Sequence, residues 1–129
     1  MINKDKFADL LAPQLKLAGF RKKGRTWRRG NSDVLEVFQI QGSSWDKDDF
    51  YINLGIFLKA LGSDLNPSAN HCHVQHRVPR EIDHDEQSTF NYALSWFSDR
   101  NSRSKLKECV EADSHQGLVF STIKNELLS

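Results

Sequence analysis

The sequence predicts an α+β domain: an antiparallel sheet of about four strands in a meander, packed on one face by an N-terminal helix and C-terminal helices. Apolar residues recur at three- and four-residue spacing before Gly19, the period changes toward two as far as Val78, and helical spacing returns from Phe90. The 129 residues suit one domain over the whole chain. A chain of that size buries roughly two thirds of its unfolded surface, so a core needs neither disulfides nor a structural metal.

Phe7, Leu10, Leu11, Leu15 and Ala18 predict an amphipathic helix over 4–18, with Asn3 as N-cap and Gly19 as stop. Pro13 lacks an amide hydrogen, so a kink or a division near residue 12 is expected. Strands follow over 25–29, 34–41 and 50–58. If Gly30-Asn31-Ser32-Asp33 closes the first hairpin, Arg29 lies opposite Val34 and Trp27 opposite Glu36. That register puts the indole on the face of Phe38 and Ile40, in the core.

In the next two strands Phe38, Ile40, Phe50, Ile52, Leu54, Ile56 and Leu58 all occupy even positions and share the face toward the helices. The odd face carries Leu35 and Val37 at one end and Gln39, Gln41, Tyr51 and Asn53 at the other, with Gly55 leaving a gap beside them. A loop over 62–70 leads to a fourth strand over 71–78, with Cys72, Val74 and Val78 inward and His71, His73, Gln75 and Arg77 outward. After an acidic connector over 79–87, Ser88 caps a helix with a buried stripe of Phe90, Ala93, Leu94 and Phe97. Helices are expected over 102–110 and 115–128, the last using Leu118, Phe120, Ile123 and Leu127. There is no repeat, low-complexity tract or linker.

The formal charge of +1 conceals a polarity: residues 1–30 carry nine Lys or Arg against two Asp, the remainder nine against fifteen acids. Such a surface suits an anionic partner at the basic end or an opposite pole on another subunit. Cys72 and Cys109 form no C-x-x-C pair and are expected as free thiols. The start of the chain lacks an apolar leader, and the longest run without a polar residue, Leu54 to Leu58, cannot cross a bilayer. A cytoplasmic location is expected, with no membrane contact.

The phosphate-loop, dinucleotide-binding, nucleophile-elbow and zincin signatures are all absent, as is a Glu-x-Lys pair. His71-Cys72-His73 with His76 resembles a metal cluster, but a strand turns Cys72 and His76 away from the other two. His71 and His73, about 6.6 Å apart along a strand, would need a third ligand from Glu81, Asp83, His84 or Asp85. No metal or cofactor is expected. Asp46-Lys47-Asp48-Asp49 starts like a calcium loop and fails where Phe50 and Tyr51 take the positions of a ligand and of glycine. Trp45 beside it either covers the core or is a contact residue.

Arg21, Lys22, Lys23, Arg25 and Arg28, with Arg29 and Trp27 among them, have the composition of a phosphate-binding segment and equally that of an edge strand protected by charge. Gln39, Gln41, Tyr51 and Asn53, joined by His71, His73 and Arg77 from the fourth strand, could bind a polar ligand or a partner, or form an ordinary solvated face.

Pro13 through Trp27, then Gln41 with Ser43, Ser44 and Trp45, then Phe50-Tyr51-Ile52-Asn53-Leu54-Gly55-Ile56 together resemble the bacterial domain-of-unknown-function family 4304, over residues 3–78. The resemblance implies a bacterial cytoplasmic α+β protein and transfers no catalytic residues. The leading reading is a non-enzymatic interaction domain, with a protein such as a toxin as partner and Gln39, Gln41, Trp45, Tyr51, Asn53, His71, His73 and Arg77 as contacts. One rival is a hydrolase, transferase or metal-dependent enzyme using His71 and His73. The other is nucleic-acid binding through Arg21 to Arg29. The oligomeric state is left open.

Overall fold

The computed structural model describes residues 3–46, 49–64, 66–111, 118–119 and 126–127. Helix α1 spans Lys4–Leu17, and the Asn3 side chain accepts the Lys6 amide hydrogen at its start. The helix ends as the glycine predicts. Gly19 takes φ +98°, its N–H donates to the Lys16 carbonyl, and that of Phe20 donates to Leu15, the paired bonds of a Schellman stop. Pro13 does not divide α1. Phe7, Ala8, Leu11 and Leu15 form its buried stripe.

Strands β1 (Arg21–Lys23), β2 (Thr26–Gly30), β3 (Val34–Gly42), β4 (Phe50–Leu58), β5 (Val74–Arg77) and β6 (Leu118–Val119) form an antiparallel meander, six strands among the described residues. The α+β class and meander order agree with the sequence. Two short strands, β1 and β6, are additional. β1 arises because Gly24, at φ +65°, turns the chain tightly enough for Lys23 to pair with Thr26. β6 falls inside the segment expected as a helix over 115–128. Its backbone gives the outer edge of β5 a partner, pairing Val119 with Val74. Of that expected helix only Glu126 and Leu127 are otherwise described, and Leu127 is buried.

The β2–β3 register differs from expectation by two residues: Trp27 faces Phe38 and Arg29 faces Glu36. The turn closes one residue later, because Asn31 Oδ1 accepts the amide hydrogens of Asp33 and Val34. A slip of two preserves parity, so Trp27 is still in the core, edge-on to Phe38. Glu36 lies on that same buried face, and the shift sets it opposite Arg29, which grips both carboxylate oxygens at 2.7 and 2.9 Å. Phe38, Ile40, Phe50, Ile52, Leu54, Ile56 and Leu58 share one cluster with α1, as their even positions predict.

Helix α2 (Glu86–Ser98) starts earlier than expected because Asp85, not Ser88, is its N-cap; the Asp85 carboxylate accepts the Ser88 amide hydrogen at 2.8 Å. Its buried residues are Thr89, Ala93, Trp96 and Phe97, with Phe90 and Leu94 half-buried beside them. Helix α3 (Arg103–Glu111) buries Leu106. Among the described residues no helix is long and apolar enough to cross a membrane.

The odd face of the sheet is divided. Between β4 and β5 the chain makes two short 3-10 turns, Lys59–Leu61 and Ala69–His71, and this excursion roofs the apolar end in a second cluster of Val37, Phe57, Ala69 and Cys72, with Leu35 against it. Cys72 is therefore buried on the face opposite the one its alternation predicted, because regular pairing of β5 begins only at Val74. It fills the space over Gly55 that was expected to be open: a Cβ there would lie 2.6 Å from Cys72 Sγ.

Candidate functional site

The unroofed end of the odd face is built by three adjacent strands. Register places Gln41 opposite Tyr51, Gln39 opposite Asn53, and Asn53 opposite Arg77. Arg77 Nε donates to Asn53 Oδ1 at 3.1 Å and its Nη2 to Gln41 Oε1 at 3.4 Å, while Asn53 Nδ2 donates to Gln41 Oε1 at 2.6 Å. The guanidinium lies over the Tyr51 ring, 4.2 Å from its centroid, a cation–π contact. A cleft of about 270 Å³ opens beside this network, lined by Gln41, Asn53, Asn70, Gln75 and Arg77 among others.

Arg80 adds a second guanidinium over Tyr51 at 4.7 Å. Its charge is consumed internally: Nη2 donates to Asp49 at 2.6 Å, and Nη1 to Asp83 at 2.8 Å and to the Phe50 carbonyl at 2.6 Å. The hydrogen bond from Arg80, helped by the Phe50 amide, holds the Asp49 carboxyl below the ordinary range. Asp83 is fully buried, and desolvation pushes its carboxyl upward against the pull of Arg80. Sequence reasoning passed over Arg80 inside an acidic connector. Its signal was the Asp three residues later.

The other predicted site residues disperse. Gln39 Oε1 accepts the Ala69 amide hydrogen and so anchors the roof. Trp45 is 94% exposed at the β3–β4 hairpin, on a turn where Ser43 Oγ accepts its amide hydrogen. His71 sits in the second 3-10 turn, with Nδ1 3.1 Å from Ser68 Oγ. That is a nucleophile-to-base distance, but the Ser68 hydroxyl donates to Asn70 Oδ1, which leaves His71 as the donor and gives no activated nucleophile. His73 accepts the Leu58 amide hydrogen at Nδ1 and packs on Phe57, and burial pushes its imidazole below the usual value. The two histidines are thus spent on different local tasks. Among the described residues no three His, Cys, Asp or Glu side chains converge as metal ligands. Cys72, buried, has its thiol pushed up to about 12 by desolvation.

The basic segment is also divided. Arg21, Lys22 and Lys23 are exposed on edge strand β1, with Lys22 over the Trp27 ring. Arg25 pairs with Asp5, Arg28 donates to the Asn66 and Pro67 carbonyls, and Arg29 serves Glu36 and the Ala18 carbonyl.

No curated protein and no solved structure matches the chain. The model of the family described as Domain of unknown function (DUF4304) matches residues 11–116, a span that includes every side chain of this network, and the protein belongs to that family.

Proposed function

We propose that this chain is a non-enzymatic interaction domain of a bacterial cytoplasmic protein, and that it recognises a protein partner through Gln41, Tyr51, Asn53 and Arg77. The observation that carries this reading is the amide–guanidinium–phenol network, a side-chain lattice on three rigid strands beside an open cleft. A solvated sheet face needs no such order. Fixing these long side chains in the free protein lowers the entropy lost on association, and an aromatic ring next to arginine is the chemistry enriched at interface centres. A toxin neutralised by this domain is the specific form the reading takes, resting on size and fold class alone.

Cross-linked capture from the native host tests it. Wild type and Glu108→Ala, a change exposed on α3, are expected to recover the same stoichiometric partner, whereas Tyr51→Ala and Asn53→Ala lose it while remaining folded. Absence of a stoichiometric partner, or recovery unchanged by both substitutions, would overturn the reading.

A further inference from the structure

We infer that the Arg77–Gln41 corner of this face is a receptor for one carboxylate, that of an aspartate or glutamate side chain on the partner protein; the inference rests on the interaction reading above. Arginine only donates hydrogen bonds, so Asn53 Oδ1 and Gln41 Oε1 must be the atoms that face it. That requirement fixes both amides. The Gln41 oxygen is occupied by Asn53 and Arg77, and its Nε2 hydrogens, like those of Arg77 Nη1, meet no acceptor among the described residues. Oriented donors with nothing to receive them therefore border the cleft.

Charge points the same way. Arg77 forms no ion pair among the described residues, since both its partners are neutral amides, whereas Arg80 is neutralised by Asp49 and Asp83. The corner therefore carries one uncompensated positive charge. A monoanion matches it. A phosphate dianion would bring a second negative charge toward Asp49 and Asp83. A carboxylate also fits the planar guanidinium fork, and a cleft of about 270 Å³ has the size for a side chain rather than a nucleotide. Tyr51 supports the fork from its ring face without neutralising it.

The test follows the Arg77 Nε–H and Gln41 Nε2 signals of the ¹⁵N-labelled full chain by NMR at constant ionic strength. The probes are N-acetyl-glutamic acid α-amide, its uncharged glutamine counterpart, and inorganic phosphate. The carboxylate is expected to give saturable shifts that the glutamine probe does not, with weaker binding of phosphate. Arg77→Gln should abolish the shifts, and Arg77→Lys, which keeps charge without the fork, should weaken binding by about tenfold. Arg77 is exposed, so both variants are expected to fold, and a cooperative thermal transition serves as the control. No saturable carboxylate shift, shifts that persist in Arg77→Gln, or tighter binding of phosphate would overturn the receptor. Carboxylate binding without any captured protein would support the receptor and remove the interaction reading. A captured partner indifferent to Arg77→Gln would remove the receptor alone.

Discussion

A methyl group at position 55 would sit 2.6 Å from Cys72 Sγ and 2.8 Å from its Cβ, closer than unstrained atoms approach. Cys72 has no room to withdraw, being fully buried with Val37, Phe57 and Ala69. Gly55→Ala is therefore expected to cost about 1–3 kcal/mol by overpacking, read from the urea midpoint. Cys72→Ala removes the sulfur contact, so the double variant should lose less than the sum of the single changes. Additive losses would mean that the excursion does not pack on β4 at this point. His73 gives a residue-scale prediction of a different kind. Its folded imidazole is held below the ordinary value by burial and accepts the Leu58 amide hydrogen in its neutral form. As pH falls below about 6.5 the unfolded chain takes up a proton that the folded chain resists, and stability declines. Asp83 contributes with the opposite sign, because burial disfavours its ionised form and protonation relieves the fold. Comparison with His73→Gln separates the two: the stability advantage of wild type should shrink between pH 7.5 and pH 5. Parallel stability curves for the two proteins would contradict the assignment.

At the scale of elements, side chains that close turns decide what periodicity leaves open. Alternation in β3 and β4 marks the buried face without marking which residues pair, since a slip of two leaves every side chain on the same face. Asn31 resolves the ambiguity by accepting two amide hydrogens at the β2–β3 turn and donating to the Asn101 carbonyl before α3. Asn31→Ala should cost about 1–2 kcal/mol, measured by denaturant unfolding, from the loss of these partly exposed bonds. A neutral change would show that pairing along β2 and β3 holds the register unaided. The start and stop of α1 were legible because Asn3 and Gly19 act within a few residues of chain. The excursion between β4 and β5 was not: Cys72 and Ala69 find their partners across the sheet, and no local period encodes that contact.

For the molecule as a whole, the sheet's order follows the chain, which is why the fold class could be read from successive hairpins. The pairing of β6 with β5 could not, because it joins residues more than forty positions apart. The candidate site was legible in its four sheet residues and illegible in its charge balance, which depends on whether each cation finds an intramolecular carboxylate. That same balance bears on nucleic-acid binding. Of the six cations between Arg21 and Arg29, Arg25, Arg28 and Arg29 are engaged with Asp5, with the Asn66 and Pro67 carbonyls, and with Glu36. Arg21, Lys22 and Lys23 are exposed and lack a carboxylate partner among the described residues. Cations held within the fold, by a carboxylate for Arg25 and Arg29 and by two carbonyls for Arg28, are not placed to contact phosphates and so release no counterions when a polyanion arrives. A single-stranded oligonucleotide neutralised by three cations should show a slope of log K against log salt near −2, whereas all six would give about −4. A salt series by fluorescence anisotropy should therefore find weak binding at low ionic strength, a slope no steeper than about −2, and its loss when Arg21, Lys22 and Lys23 are changed together to Gln. A slope near −4 would show that a polyanion recruits Arg25, Arg28 and Arg29 from their partners, and the basic segment would then have to be treated as one surface.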